Sequence, residues 1–409
     1  MTRPQPGADS PGPSGSVVAA GSVSFAIAVV VMSFNLRPAV ASVGPVLNEL
    51  RRDVGLSSAG ASVLTAAPVF CFGALAMLGP WLARRFGLRR SVLLLVTAVL
   101  VGLIVRIGPD IGTLFVGTLI IAGGIAAANV LMPVIIKRDF PNSTGLMMGL
   151  YTAALVGSAA AGAGLTVPLG DAIGHDWRGG LGVWAVAAAI GIGLWLPHVR
   201  SDHVTVEVDA GHVPARLRHD RLAWLVTGFF GLQSLNFYAV LNWLPSLYQD
   251  HGYSAASAGG LLSLSALVQL PVALVLPAVA TRMRRQESLV IGAVALTAIG
   301  FVGILVAPTP LAVLWVVILG LGQGAAFAIA LTLLVLRTRT HETTAQLSAM
   351  AQSVGYLIAG LGPLVFGALH AATGGWHVPL AFLLVLLVPE TIAGLRAAAP
   401  GYLQVATTR

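Results

Sequence analysis

Along this chain the apolar residues come in long runs, separated by short intervals rich in arginine, glycine and proline. A helix needs about 20 predominantly apolar residues to cross a hydrocarbon layer about 30 Å thick. Twelve segments reach that length: 19–44, 57–79, 91–108, 111–136, 144–168, 180–197, 221–247, 256–280, 287–306, 309–336, 343–370 and 376–395. In lipid, backbone polar groups must be satisfied inside the segment or in a closed barrel, and runs this long satisfy themselves as helices. The pattern therefore predicts an all-α membrane protein with twelve transmembrane helices. Residues 1–18 open with MTRPQPGADSPGPSGS, which lacks the apolar stretch of a signal peptide and reads as a disordered tail.

The longest polar interval, His198 to Asp220, follows the sixth run. It divides the chain into an N-terminal six-helix bundle at 19–198, a linker at 199–219, a C-terminal six-helix bundle at 220–396 and a tail at 397–409. Moved back by 197 positions, residues 240–282 align with 43–85 without a gap, and 13 of the 43 pairs are identical. Ala and Leu matches are cheap in so apolar a chain. Gly55/Gly252, Pro80/Pro277 and Arg85/Arg282 at one shared offset are harder to produce by chance. Parallel six-span repeats build one class of secondary transporter, with the solute held between the halves near the midplane.

Composition strengthens this reading. Of 409 residues, 56% are hydrophobic and 9% charged, against about a quarter charged in soluble domains. The net charge of +8 follows from topology. With both termini in the cytoplasm, 18 of the 23 basic residues fall in cytoplasmic segments; Arg51, Arg52, Arg106 and Arg178 lie outside, and Arg37 lies within a span. No basic stripe interleaved with aromatics points to nucleic acid. The single cysteine, Cys71, excludes a disulfide framework and a cysteine-rich metal site. No phosphate-cradling Gly-rich loop ending in Lys-Ser/Thr is present, so ATP-driven pumping by this chain is not expected. His341-Glu342-Thr343-Thr344-Ala345 lacks the second histidine of a zinc protease helix. No catalytic residues, metal or cofactor are expected, and the chain does not read as an enzyme.

The candidate chemistry begins with Arg37, a charge inside an apolar run. Placing an arginine there costs about 2.5–3.5 kcal/mol on insertion scales. A guanidinium offers a planar fork of donors, whose complement is a small anion or a nitro, carboxylate or cyanate-like group. Pro38 cannot donate to the carbonyl of Phe34 and is expected to open the helix beside it. Asn35 points nearly opposite Arg37 on a regular helix, so the two share a site only across such a break. Gln233 and Asn236 lie three residues apart on the seventh run, with Tyr238 to the side. Ser348, Ala349, Gln352, Gly355, Tyr356 and Ala359 form a stripe of small and polar residues on the eleventh, fit either to line a pathway or to pack helices closely. Asn129, Gln323 and Tyr151 are further buried polar candidates. His370 is a candidate proton relay or an interfacial histidine. Glu390 and Glu342 lie near the ends of their runs and are expected to be solvated.

Four motifs give a family resemblance. Pro80-Trp-Leu-Ala-Arg-Arg-Phe-Gly-Leu-Arg-Arg90, echoed by Pro277-Ala-Val-Ala-Thr-Arg-Met-Arg-Arg285, resembles the loop signature of the major facilitator superfamily. Arg84 stands where that signature carries Asp, and Pro80 replaces its first Gly. The resemblance implies a cytoplasmic gate loop at Arg85, Arg89, Arg90 and Arg282. Asn35-Leu-Arg-Pro-Ala-Val-Ala-Ser-Val-Gly-Pro45 and Asn129-Val-Leu-Met-Pro-Val-Ile-Ile-Lys-Arg-Asp-Phe-Pro141, with Gly231-Leu-Gln-Ser-Leu-Asn-Phe-Tyr238, are similar to its cyanate and nitroimidazole transporter branch.

The expected protein is a monomeric plasma-membrane transporter, secondary active or facilitative, working by alternating access. Its partners would be the bilayer and a small anionic or strongly polar solute held by Arg37 between the bundles, with proton coupling open. The alternative is a proton-coupled multidrug or toxic-compound exporter, which by family pattern wants a buried carboxylate and an arginine in the fourth span. A non-transporting sensor and a membrane enzyme are weaker readings.

Overall fold

A computed structural model describes residues 14–173, 176–199 and 215–403. The tail before Ser14, the linker from 200 to 214 and the tail after 403, with Arg3, Arg200 and Arg409, lie outside the described residues. Among the described residues there is no strand.

The first apolar run folds as three pieces, α1 (Ser14–Phe34), α2 (Pro38–Ala41) and α3 (Val43–Asp53). The second is also broken: α4 (Ser58–Leu75) meets α5 (Leu78–Phe86), and the pair bends by 55°. α6 (Leu88–Arg106), α7 (Ile111–Asp139), α8 (Thr144–Ala172) and α9 (Trp177–Val199) complete the first half. After α10 (Ala215–His219), the second half comprises α11 (Arg221–Asp250), the joined α12 (Ala255–Leu267) and α13 (Gln269–Arg282), α14 (Glu287–Val306), α15 (Ala312–Leu336), α16 (His341–Thr373) and α17 (His377–Ala398). Eleven helices are long and apolar enough to span, and the bent α4–α5 pair makes the twelfth. In the first half α6 packs on α7 and α9, and α1 on α8 and α9; in the second, α11 packs on α16 and α17, and α14 on α15 and α17.

The internal repeat is visible in the backbone. Gly55 and Gly252, 197 positions apart, both take positive φ, +65° and +90°, a region open to glycine at little cost. Two residues on, Ser57 and Ser254 cap α4 and α12, accepting hydrogen bonds from the backbone N–H of Gly60 and Ser257. The same residues therefore make the same turn in each half.

The halves meet along α8–α13, α4–α16 and α7–α16. Contact is tightest at the end where α17 finishes: a Cβ on Gly149 would collide with Leu274 O, and one on Gly145 with Thr281. Gly164 on α8 and Gly259 and Gly260 on α12, toward the other end, have open space around them.

One charged residue is placed differently from expectation. Glu390 is not solvated: it is 1% exposed and accepts a hydrogen bond from Asn236 Nδ2 at 2.7 Å. Proximity to the end of its run misled, because α11, α14 and α16 pack against α17 and cover it. Arg106, which closes α6, is also buried, 1% exposed, and donates Nη1 to Ala39 O.

Candidate functional site at the junction of the two halves

The break in the first run sets the site. Pro38 cannot continue a helix from Phe34, so α1 ends there and Arg37 flanks α2 with φ −129° and ψ −36°. Two neighbours support the break. Gly162 of α8 lets it approach, since a Cβ there would come within 2.8 Å of Pro38 Cα. Arg106 of α6 supplies the donor for Ala39 O.

Released from the helical repeat, Arg37 reaches toward the second half. Its Nη2 donates to the Tyr356 hydroxyl of α16 at 3.3 Å. The guanidinium carbon lies 5.7 Å from the centroid of Phe72 on α4. Tyr238 of α11 and Tyr151 of α8 stand within its electrostatic reach, and among the described residues no carboxylate does. Arg37 keeps part of its surface accessible, while Phe72, Tyr151 and Tyr356 are fully closed off.

Tyr356 is the centre of an aromatic cluster. Phe72 packs on it at 5.4 Å, Phe230 of α11 meets it edge-on at 5.2 Å, and Tyr238 approaches at 6.5 Å. One α-helical turn back, Gln352 donates Nε2 to the carbonyl of Asn129 on α7 at 3.2 Å. Tyr151 donates its hydroxyl to that same carbonyl at 3.5 Å. The Asn129 side-chain amide is 1% exposed with neither atom partnered, as is Ser348 Oγ on the facing helix. Buried polar atoms are rarely left so. A fork of donors, unmet amide groups and aromatic faces thus lie together, and they can hold a small electron-rich solute.

Arg37, Asn129, Tyr151, Tyr238, Gln352 and Tyr356 are therefore brought together. The other expected residues are not. Asn35 turns away, donating Nδ2 to Val31 O at 2.8 Å and packing against Gly191 of α9. Gln233 is satisfied within α11 by Phe230 O and Ser234 Oγ at 3.0 and 2.6 Å. Asn236 faces α17 and Glu390. Gln323 is buried on α15 with Nε2 unpartnered and makes no hydrogen bond to the cluster. His370 stacks on Trp376 at 3.8 Å in the last turn of α16, its Nδ1 3.2 Å from Gly375 O. The small-residue stripe of α16 packs as a helix interface: Gly355 lies against Gly231 and Phe230, and Ala349 against Ala76 and Val130.

At the end where α17 finishes, Arg85, Arg90 and Arg282 are exposed. Arg89 is bonded to Asp139 at 3.3 Å and His198 O at 3.1 Å over the Phe25 ring. A link between halves at this end is Lys137 of α7, whose Nζ donates to Val335 O at 2.8 Å, to Thr338 Oγ1 at 2.8 Å and to Thr338 O at the end of α15. A cation at a helix C-terminus is favourably placed. Sequence reading missed Lys137, Phe72 and Phe230. Lys137 reads as one more basic anchor, and two phenylalanines in apolar runs carry no signal of their own.

The Major Facilitator Superfamily profile matches residues 23–363. The chain belongs to the major facilitator superfamily and is a multi-pass membrane transporter of small molecules. It is 34% identical over 370 residues to the 2-nitroimidazole transporter of Escherichia coli, covering 90% of this chain and 94% of that one. It is 34% identical over 379 residues to the cyanate transport protein CynX of the same organism, covering 91% and 96%. Among solved structures it resembles the human organic anion transporter TETRAN, with TM-score 0.75 at 15% identity over 91% of this chain and 99% of that one.

Proposed function

We propose that this protein carries a small anionic or strongly polar solute of the cyanate, nitroimidazole or small-carboxylate kind across the plasma membrane by alternating access, with Arg37 as its principal contact. The observation that carries this reading is a guanidinium in an apolar run whose partners are a tyrosine hydroxyl and an aromatic face, with no acid among the described residues to neutralise it. Tyr356 and Tyr238 would face the solute from the second half, and Asn129, Tyr151 and Gln352 would complete its hydrogen bonds. The names of two relatives, for 2-nitroimidazole and cyanate, fit this chemistry. Both walls of the site come from one chain, so a monomer suffices.

The arginine distribution sets both termini in the cytoplasm. In that orientation the close approach of the halves at Gly145 and Gly149 shuts the cytoplasmic end.

The test is uptake of 2-nitroimidazole and cyanate into proteoliposomes. Arg37→Lys is expected to be nearly as damaging as Arg37→Ala, because a point charge cannot replace a fork. Wild-type uptake by the lysine variant would overturn bidentate recognition.

The second reading, a proton-coupled exporter, gains one feature from Glu390, the buried carboxylate such a protein wants. It still lacks an arginine in the fourth span, where α7 holds Asn129.

A further inference from the structure

A buried acid is left unused by the Arg37 site. Glu390 lies eight residues before the end of α17, about 12 Å of helix inside it. Its sole partner among the described residues is Asn236 Nδ2, at 2.7 Å on Oε2. α17 packs against α11, α14 and α16. The charged and titratable groups of those helices stand elsewhere. Arg221, Glu287, His341 and Glu342 lie in first turns at one end, Asp250 and His370 in last turns at the other, and Tyr238, Tyr248 and Tyr356 lie between. None pairs with or hydrogen-bonds to Glu390. His377 and Arg396 of α17 itself sit in its terminal turns.

The amide completes the case. Asn236 Oδ1 is buried with no donor. An ionised carboxylate only accepts, so it would leave Oδ1 unmet and bury a charge without compensation. A neutral acid has one O–H to give. Facing an amide, it closes two hydrogen bonds at once: amide N–H to one acid oxygen, acid O–H to the amide oxygen. A proton on the acid would supply the donor that Oδ1 lacks.

We infer that Glu390 and Asn236 form a proton-binding site, occupied in this conformation and vacated when α11 moves against α17. Asn236 stands on α11 between Phe230 and Tyr238, both beside Tyr356, so the motion that admits solute also acts on the proton's second ligand. This use of the proton rests on the transport reading above; its binding does not.

Infrared difference spectra of the full chain in proteoliposomes, taken over a pH titration, test the binding. The expected result is a protonated-carboxyl stretch at neutral pH that disappears on alkalinisation, is missing from Glu390→Gln and shifts in Asn236→Leu. The glutamine variant can keep both hydrogen bonds and so is expected to fold. Identical spectra for wild type and Glu390→Gln would overturn the site. Accumulation of 2-nitroimidazole under an imposed pH gradient tests the coupling: loss of gradient-driven accumulation in Glu390→Gln is expected, and a wild-type response overturns it. If no probe is moved by any form, the transport reading fails while the infrared result still decides the site.

Discussion

Arg37 is the most readable residue of the site, because a charge in an apolar run needs a compensating partner. That partner here is a tyrosine at 3.3 Å, long for a charged hydrogen bond. On the proposed reading, solute bound to the fork takes the place of this hydroxyl. Tyr356→Phe is therefore expected to tighten 2-nitroimidazole binding by up to about tenfold, the equivalent of about 1.4 kcal/mol; equilibrium binding to the purified protein checks this, and weaker binding would make the hydroxyl a direct ligand. On the outer rim of the first half, Asp53 accepts hydrogen bonds from Trp177 Nε1 at 3.0 Å and Arg178 Nη1 at 2.6 Å, which hold its carboxyl below the usual range. A depressed folded value means that the clamp's contribution is present above about pH 4 and lost as pH falls through the folded value. Thermal unfolding should show wild type converging on Asp53→Asn only at pH below about 4. Glu390 was misread at this same scale. Position within a run gives depth along one helix, and whether neighbours cover that depth is not written in the run.

At the scale of elements, the break at Asn35–Arg37 was legible from Pro38, and the matched turns at Gly55 and Gly252 from the 197-residue offset. Which way each residue faces at the break was not. α6 and α8 decide it, by filling one side of the break with Arg106 and opening the other at Gly162. Arg106 uses Nη1 and leaves Nε and Nη2 unpartnered, so it is a half-satisfied buried charge. Removing such a charge is often neutral or stabilising. Arg106→Met is expected to lower uptake without lowering the unfolding temperature, and Arg106→Lys to keep uptake, since one donor is enough. Undiminished uptake by the methionine variant would show that α6 does not hold the Arg37 segment in place.

For the whole molecule, closure is set by contacts between halves, and at the end where α17 finishes Lys137 supplies polar ones. Charge-assisted hydrogen bonds contribute about 1.5–3 kcal/mol, enough to shift a balance between two conformations. Lys137→Ala is expected to speed amide hydrogen exchange at the ends of α7 and α15 and along α8–α13; unchanged exchange there would mean that apolar packing alone keeps this end shut. The chain by itself determined the membrane as solvent, the number of spans, the two-fold repeat and the identity of the buried guanidinium. These depend on run length, composition and the cost of charge in hydrocarbon, which are local quantities. Tertiary structure alone decided that Arg37 meets Tyr356, that Asn236 meets Glu390, and that Lys137 joins the halves. Each of those contacts joins residues more than a hundred positions apart, and its partner is chosen by how helices rotate and cross when they pack, which no single run encodes.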